Sequence, residues 1–174
     1  MEHIALEGFQ SVIRGPIIKL NLVNCNSISD VMQIVKNDKK IFLSRGDSSG
    51  THEMELSLWK SMDLDIRSFG KWYKSVGQGM GGLLNMANEL NAYTISDKGT
   101  WFAFMNKQNL KIICENKPSL KNQYGIIAVN PNKHANVNYE WANKYISWLL
   151  SKKGKNLINN FRKFDQQLFY FNYK

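Results

Sequence analysis

Apolar positions fall in short bursts along the chain, and their period changes from one burst to the next. In NSISDVMQIVKN the apolar residues Ile28, Val31, Met32 and Val35 follow a serine at spacing i, i+3, i+4, i+7, which predicts a capped helix lying on a core. Upstream, VIRGPIIKLNLVN (Val12 to Asn24) is rich in β-branched residues, and Pro16 fits only a strand's start or an edge. A strand is therefore expected around Ile17 to Val23. KIFLS forms the next strand, ending at Ser44, and a glycine-bearing turn leads into a helix over Thr51 to Met62 with Met54, Leu58, Trp59 and Met62 as its core stripe.

The plan then repeats. A short strand (Trp72 to Val76) enters a second turn, GQGMGG, and a helix follows with Leu83, Leu84, Ala87 and Leu90 on one face. A strand at Ala92 to Ser96, a short helix capped by Asp97, two strands in LKIIC and QYGIIAVN, and helices starting near Asn138 and at Ser151 complete the pattern. The alternation predicts an α/β sheet with substantial parallel pairing. No internal repeat and no low-complexity linker interrupts it.

The 174 residues are enough for a substantial core, in one domain or in two small lobes. A formal charge of +9 points toward anionic partners, although only four of the 23 basic residues are arginine and the lysine excess also fits a compositional bias. The basic patch SKKGK and the terminal LFYFNYK read as a solvated helix face followed by an aromatic strand, with a nucleic-acid surface as the alternative. Cys25 and Cys114, far apart and outside any CxxC, are expected to be isolated buried thiols, with neither a zinc site nor a disulfide framework. His3, His52 and His134 form no metal or catalytic motif. No apolar run reaches membrane-spanning length, and MEHIALEGFQ lacks the features of a signal peptide.

The chemistry concentrates in the two turns. Glycines let backbone N–H groups converge, and each following helix presents unpaired N–H groups and the positive end of its dipole, a combination that receives an anion without a metal. Arg45 adds a fork of donors, and Ser44, Ser48, Ser49 and Thr51 add hydroxyls. The plainer alternatives are that Ser49 or Thr51 serves only as the helix cap and that Arg45 and Asp47 form a local ion pair. GQGMGG lacks the dinucleotide arrangement, no GxxxxGK[ST] or GxSxG occurs, and no acid/base or nucleophile constellation is visible, so an enzyme has least support. The Arg-Gly-Asp triplet lies between a buried-looking strand and a helix, which argues against an adhesion motif.

Four blocks, FLSRGDSSGTHEMELSLWK, GQGMGGLLNMANELNAYTISDKGTW, YGIIAVNP and FDQQLFYFN, resemble in order and spacing the tungstate-binding proteins that serve ABC uptake transporters. The likeness covers roughly Ile41 to Asn172. It implies the fold of type 2 periplasmic binding proteins, with residues 1–174 as a single such region holding one complete lobe and the C-terminal part of a second. It also implies a non-enzymatic protein that holds bare tungstate or molybdate by hydrogen-bond donors, without a cofactor, and partners a transporter permease. Carried over by motif, the oxyanion ligands are Ser44, Arg45, Ser49, Gly50 and Thr51, with Gly79 and Met80 contributing backbone N–H groups. Residues 1–40 match no first anion-binding turn of that family, so a chain lacking roughly its first third is expected, along with impaired binding. Lys98 and Asp165 stand where the family favours Arg and Gly. The family's place is periplasmic or extracytoplasmic, whereas the chain as written carries no export signal. The alternative to an oxyanion receptor is a non-binding remnant or a basic nucleic-acid-binding protein.

Overall fold

The computed structural model describes residues 4–14, 25–115 and 117–173, with side chains described from residue 25 onward. The strand expected around Ile17 to Val23 lies outside the described residues. The chain divides into two compact units, Phe9–Asn122 and Met1–Gly8 with Gln123–Lys174.

In chain order the elements are β1 (Ile4–Arg14), α1 (Ile28–Asn37), β2 (Phe42–Ser44), α2 (Gly50–Ser61), β3 (Tyr73–Ser75), α3 (Met80–Glu89), β4 (Tyr93–Asp97) and α4 (Lys98–Ala103). They continue with β5 (Lys111–Glu115), β6 (Lys121–Ile126), α5 (Tyr139–Leu150), α6 (Lys152–Asn160), β7 (Arg162–Lys163), β8 (Gln166–Gln167) and β9 (Phe169–Phe171). The pattern reading anticipates most of these. It misses β1, whose IALEGFQSVIR alternates too weakly to stand out.

Residues 9–122 build a sheet of order β3-β2-β4-β1-β5. β2 runs parallel to β3 and β4, while β1 runs antiparallel to β4 and β5, so the sheet is mixed. The pleat sends successive side chains to opposite faces. Phe42 joins a core with Ile28, Val31, Met32 and Val35 of α1 and Leu58 and Trp59 of α2. Leu43 joins a second core with Met80, Leu83, Leu84 and Ala87 of α3 and Trp101 of α4. Helices thus cover both faces, as parallel pairing requires.

The caps follow the sequence. Ser27 Oγ accepts from the Asp30 N–H at 3.0 Å, Asp97 Oδ1 from Thr100 N–H at 2.7 Å, and Asn138 Oδ1 from Trp141 N–H at 3.1 Å. Leu90, expected in the core, is instead the C-terminal cap of α3 and 40% exposed, and Asn88 is buried in its place.

The cysteines correct the sequence expectation. Cys25 and Cys114 form a disulfide across 89 residues, with Cα atoms 5.4 Å apart. Cys25 precedes α1 and Cys114 lies in β5, and both residues are buried in the core that α1 shares with the sheet. Two cysteines with no local spacing give no sequence signal for this, because only the sheet brings them together.

In the other unit, β9 pairs antiparallel with the Leu6–Gly8 part of β1, and β7 and β8 form a hairpin. Among the described residues of α5 only Ile146 is buried. Trp141, Tyr145 and Trp148 remain exposed, and the Tyr145 and Trp148 rings stack with centroids 5.8 Å apart.

Candidate functional site

β2 ends at Ser44 and β3 at Ser75, and the parallel register places these two residues opposite each other. The turns that follow therefore leave the same edge of the sheet side by side. The Val76 N–H donates to Ser44 O at 3.0 Å across them. In open α/β sheets this carboxyl edge is where ligands collect.

The first turn, Arg45 to Ser49, is held by its own side chains. Gly46 and Ser48 have φ of 61° and 56°, so the chain reverses twice before α2 begins. Asp47 organises the loop: Oδ1 accepts from the Ser49 N–H at 3.1 Å, and Oδ2 accepts from Arg45 Nη2 in a short ion pair. Burial pushes the Asp47 carboxyl up, but the Ser49 hydroxyl, the Ser49 N–H and the Arg45 guanidinium together outweigh it and hold the carboxyl below its ordinary value. The Ser48 N–H donates to His52 Nδ1 at 3.0 Å, which fixes that ring nitrogen as an acceptor. Ser49 is the N-cap of α2, its hydroxyl facing the His52 N–H at 3.4 Å.

Five of the seven expected oxyanion residues, Ser44, Arg45, Ser49, Gly50 and Thr51, thus occupy one continuous strand end, turn and helix start. Two of their polar atoms are buried without a hydrogen bond, Ser44 Oγ and Arg45 Nε. Ser44 is fully buried and Thr51 nearly so. The Ser49 hydroxyl caps α2 and its N–H donates to Asp47 within the turn.

The second turn carries Gly79 and Met80. Gly79 is the N-cap of α3 and, having no side chain, leaves the first N–H groups of that helix without a side-chain acceptor. Met80 sends its side chain into the second core, so only its backbone faces the turn. A β-carbon placed on Gly77, Gly79 or Gly81 would meet nothing within 4 Å. The contacts tying the two turns run instead through Gly46, where an added β-carbon would meet Ser75 Oγ at 1.9 Å and Gly77 N at 3.4 Å.

Beneath the first turn lies a polar cluster that the motif reading does not include. Glu55 of α2 is 2% exposed, and its Oε1 accepts from the Tyr73 hydroxyl at 2.7 Å and from Trp59 Nε1 at 3.0 Å. Ser44 Oγ lies beside both Glu55 and Tyr73 and acts on the protonation of each, without hydrogen-bond geometry to either. Burial pushes the Glu55 carboxyl up, against the neighbouring Ser44 hydroxyl, the hydrogen bonds from Tyr73 and Trp59 and the nearby His52, which pull it down. Burial and the adjacent Glu55 carboxylate likewise push the Tyr73 phenol up. The sequence held a signal for Glu55: Thr51, Glu55, Leu58 and Trp59 share one helical face, so the acid stands inside the buried stripe. Asn122, whose amide oxygen would lie 3.4 Å from a β-carbon added to Gly50, had no such signal.

This geometry has close counterparts among known proteins. The model of a PBP superfamily domain matches residues 23–153. The tungstate-binding protein TupA of Peptoclostridium acidaminophilum is 42% identical over 146 residues, covering 84% of this chain and 50% of that protein. TupA of Campylobacter jejuni subsp. jejuni serotype O:2 is 38% identical over 147 residues, covering 82% and 54%. The solved tungstate-binding protein TupA from Desulfovibrio alaskensis G20 superposes with a TM-score of 0.81 at 31% identity, over 98% of this chain and 70% of that one. The chain spans about half the length of the curated relatives it matches. The α/β sheet with helices on both faces, the paired turns at its carboxyl edge and the extent of these matches lead to one assignment: this chain belongs to the PBP superfamily.

Proposed function

We propose that this chain binds a tetrahedral oxyanion, tungstate or molybdate, as part of the substrate-binding component of an ABC uptake transporter. The carrying observation is the pair of buried polar atoms without partners, Ser44 Oγ and Arg45 Nε, at the head of a turn that leads into α2. An unpaired buried donor costs about 1–3 kcal/mol, so two of them together at one strand end call for a ligand that satisfies them. A bare dianion accepts hydrogen bonds and donates none, which matches a set made of a guanidinium, hydroxyls and helix N-terminal N–H groups. The oxyanion ligands in this reading are Ser44, Arg45, Ser49, Gly50 and Thr51, with the Gly79 and Met80 N–H groups from the neighbouring turn. The relatives named for tungstate binding support the ligand class.

The same reading makes the protein a receptor with neither catalysis nor a cofactor, delivering its ligand to a permease. In it, residues 1–174 form one PBP-like region, a complete lobe with part of a second. An extracytoplasmic place is supported by the Cys25–Cys114 disulfide, since such bonds persist in oxidising compartments.

Isothermal titration with tungstate, molybdate and sulfate tests the proposal. Binding must also raise the melting temperature by mass action. Arg45→Ala removes a charge-assisted hydrogen bond worth about 1.5–3 kcal/mol and is expected to weaken tungstate binding at least ~10-fold. Unchanged affinity in that variant rejects the site, and no thermal shift at millimolar oxyanion in the unaltered chain favours a non-binding remnant.

A further inference from the structure

We infer that His52 is a positioning residue for the first turn: the lone pair on its Nδ1 holds Ser48 in a left-handed conformation and so keeps Arg45 in place for the anion. The inference rests on the oxyanion reading of the turn and adds to it a residue that touches no ligand.

The argument begins with the backbone. Two residues of the turn lie in the left-handed region, Gly46 with φ of 61° and Ser48 with φ of 56°. Glycine adopts that conformation without a steric cost, whereas the β-carbon of a serine is crowded there, so an interaction has to offset it. The interaction comes from the helix that follows. The Ser48 N–H donates to His52 Nδ1 at 3.0 Å. Side chains in the first turn of a helix point back toward its N-terminus, and His52, third residue of α2, reaches the residue before the Ser49 cap in this way. The Ser49 hydroxyl faces the His52 N–H at 3.4 Å in return, so the two residues form a capping box in which an imidazole takes the place usual for glutamate or glutamine.

The tie matters because of what Ser48 separates. On one side of it, Asp47 Oδ2 accepts from Arg45 Nη2. On the other, the Ser49 N–H donates to Asp47 Oδ1 at 3.1 Å. Both Asp47 oxygens are thus engaged, and the Ser48 N–H is held from α2 instead. The guanidinium is therefore placed by a chain of contacts that runs from Arg45 to Asp47, through the Ser48 backbone, to His52. Without an acceptor at position 52, Ser48 loses what offsets its left-handed conformation and returns to negative φ. Asp47 moves with it, and the buried Arg45 Nε leaves the strand end where it stands beside Ser44.

The test compares His52→Leu with His52→Asn by isothermal titration of the full chain with tungstate at about pH 8, where an ordinary imidazole is neutral. Asparagine carries Oδ1 on Cγ, as histidine carries Nδ1, and accepts the same N–H, while leucine branches at the same atom and accepts nothing. His52→Leu is expected to weaken tungstate binding about tenfold, and His52→Asn to stay within about threefold of the unaltered chain. Ser48→Gly adopts the left-handed conformation freely, so adding it to His52→Leu is expected to restore most of the lost affinity. Amide hydrogen exchange of the ligand-free proteins reads the tie directly: the Ser48 N–H is expected to be protected in the unaltered chain and in His52→Asn, and to exchange faster in His52→Leu. Unchanged affinity in His52→Leu overturns the inference, as does an equal loss in both variants or a loss that Ser48→Gly fails to restore. If His52→Leu shows no cooperative unfolding, His52→Ala takes its place with the same expected outcomes. An unaltered chain that binds neither tungstate nor molybdate removes the oxyanion reading itself, and this inference with it.

Discussion

Gly46 packs so closely against Ser75 that a β-carbon on the glycine would sit 1.9 Å from the serine Oγ. The two turns of the candidate site are locked together at this point, between Gly46, two residues past the end of β2, and Ser75, the last residue of β3. Gly46 also has φ of 61°, where a β-carbon costs about 1–2 kcal/mol. Gly46→Ala is thus disfavoured twice, by conformation and by contact. A loss of about 2 kcal/mol or more in chemical denaturation is expected, with weakened oxyanion binding. Stability equal to that of the unaltered chain would show that the turns are not so joined.

Gly79 presents the opposite case. Its φ is −63° and a β-carbon there would meet nothing within 4 Å, so nothing inside the protein requires glycine. Gly79→Ala is expected to change stability by less than about 1 kcal/mol while reducing tungstate affinity about tenfold, because the methyl group enters the space in front of α3. Unchanged affinity would remove the second turn from the site.

Glu55 makes stability depend on pH. Its folded-state carboxyl titrates above the ordinary value of 4.5, so above that value the native state holds more protons than the unfolded chain. Stability is then complete below the ordinary carboxyl range and is lost as pH rises through the raised folded value. Glu55→Gln removes this loss, and its melting temperature relative to the unaltered chain should climb with pH. A constant difference across the same series would contradict the assignment.

The disulfide closes a loop of 89 residues, for which chain entropy predicts about 4–5 kcal/mol of stabilisation. Reduction, or Cys25→Ser with Cys114→Ser, is expected to lower the urea midpoint strongly with little change in the cooperativity of the remaining transition. Equal midpoints under oxidising and reducing conditions would argue against the bond.

In the β7–β8 hairpin, Phe164 and Asp165 have φ of 52° and 58°, the left-handed pair of a two-residue reversal that glycine fits best. Asp165→Gly should stabilise the chain by about 0.5–1 kcal/mol and leave oxyanion binding unaltered. A lower melting temperature would refute this.

Much of the local structure is legible in the residues. The period around Val31 and Val35 shows α1, the serine at position 27 shows where it starts, and the glycines after Ser44 and Val76 mark both turns. The motif SRGDSSGT likewise picks out one continuous strand end, turn and helix start. Glu55 was legible in part, since its place in the buried stripe follows from helical spacing, while its partner Tyr73 lies 18 residues on.

The sequence by itself therefore determined what is decided within a few residues: helical faces, caps and the small-residue turns. Period and capping act over a single turn of helix, and their signals stay in place however the chain folds. Only the tertiary structure decided the rest: that β2 and β3 set the two turns side by side, that Ser75 holds Gly46, that Cys25 meets Cys114, and that a glutamate sits beneath Ser44. Each of these joins residues separated by many positions, and such proximity arises only when the burial of two cores makes the sheet's strand order more favourable than its alternatives.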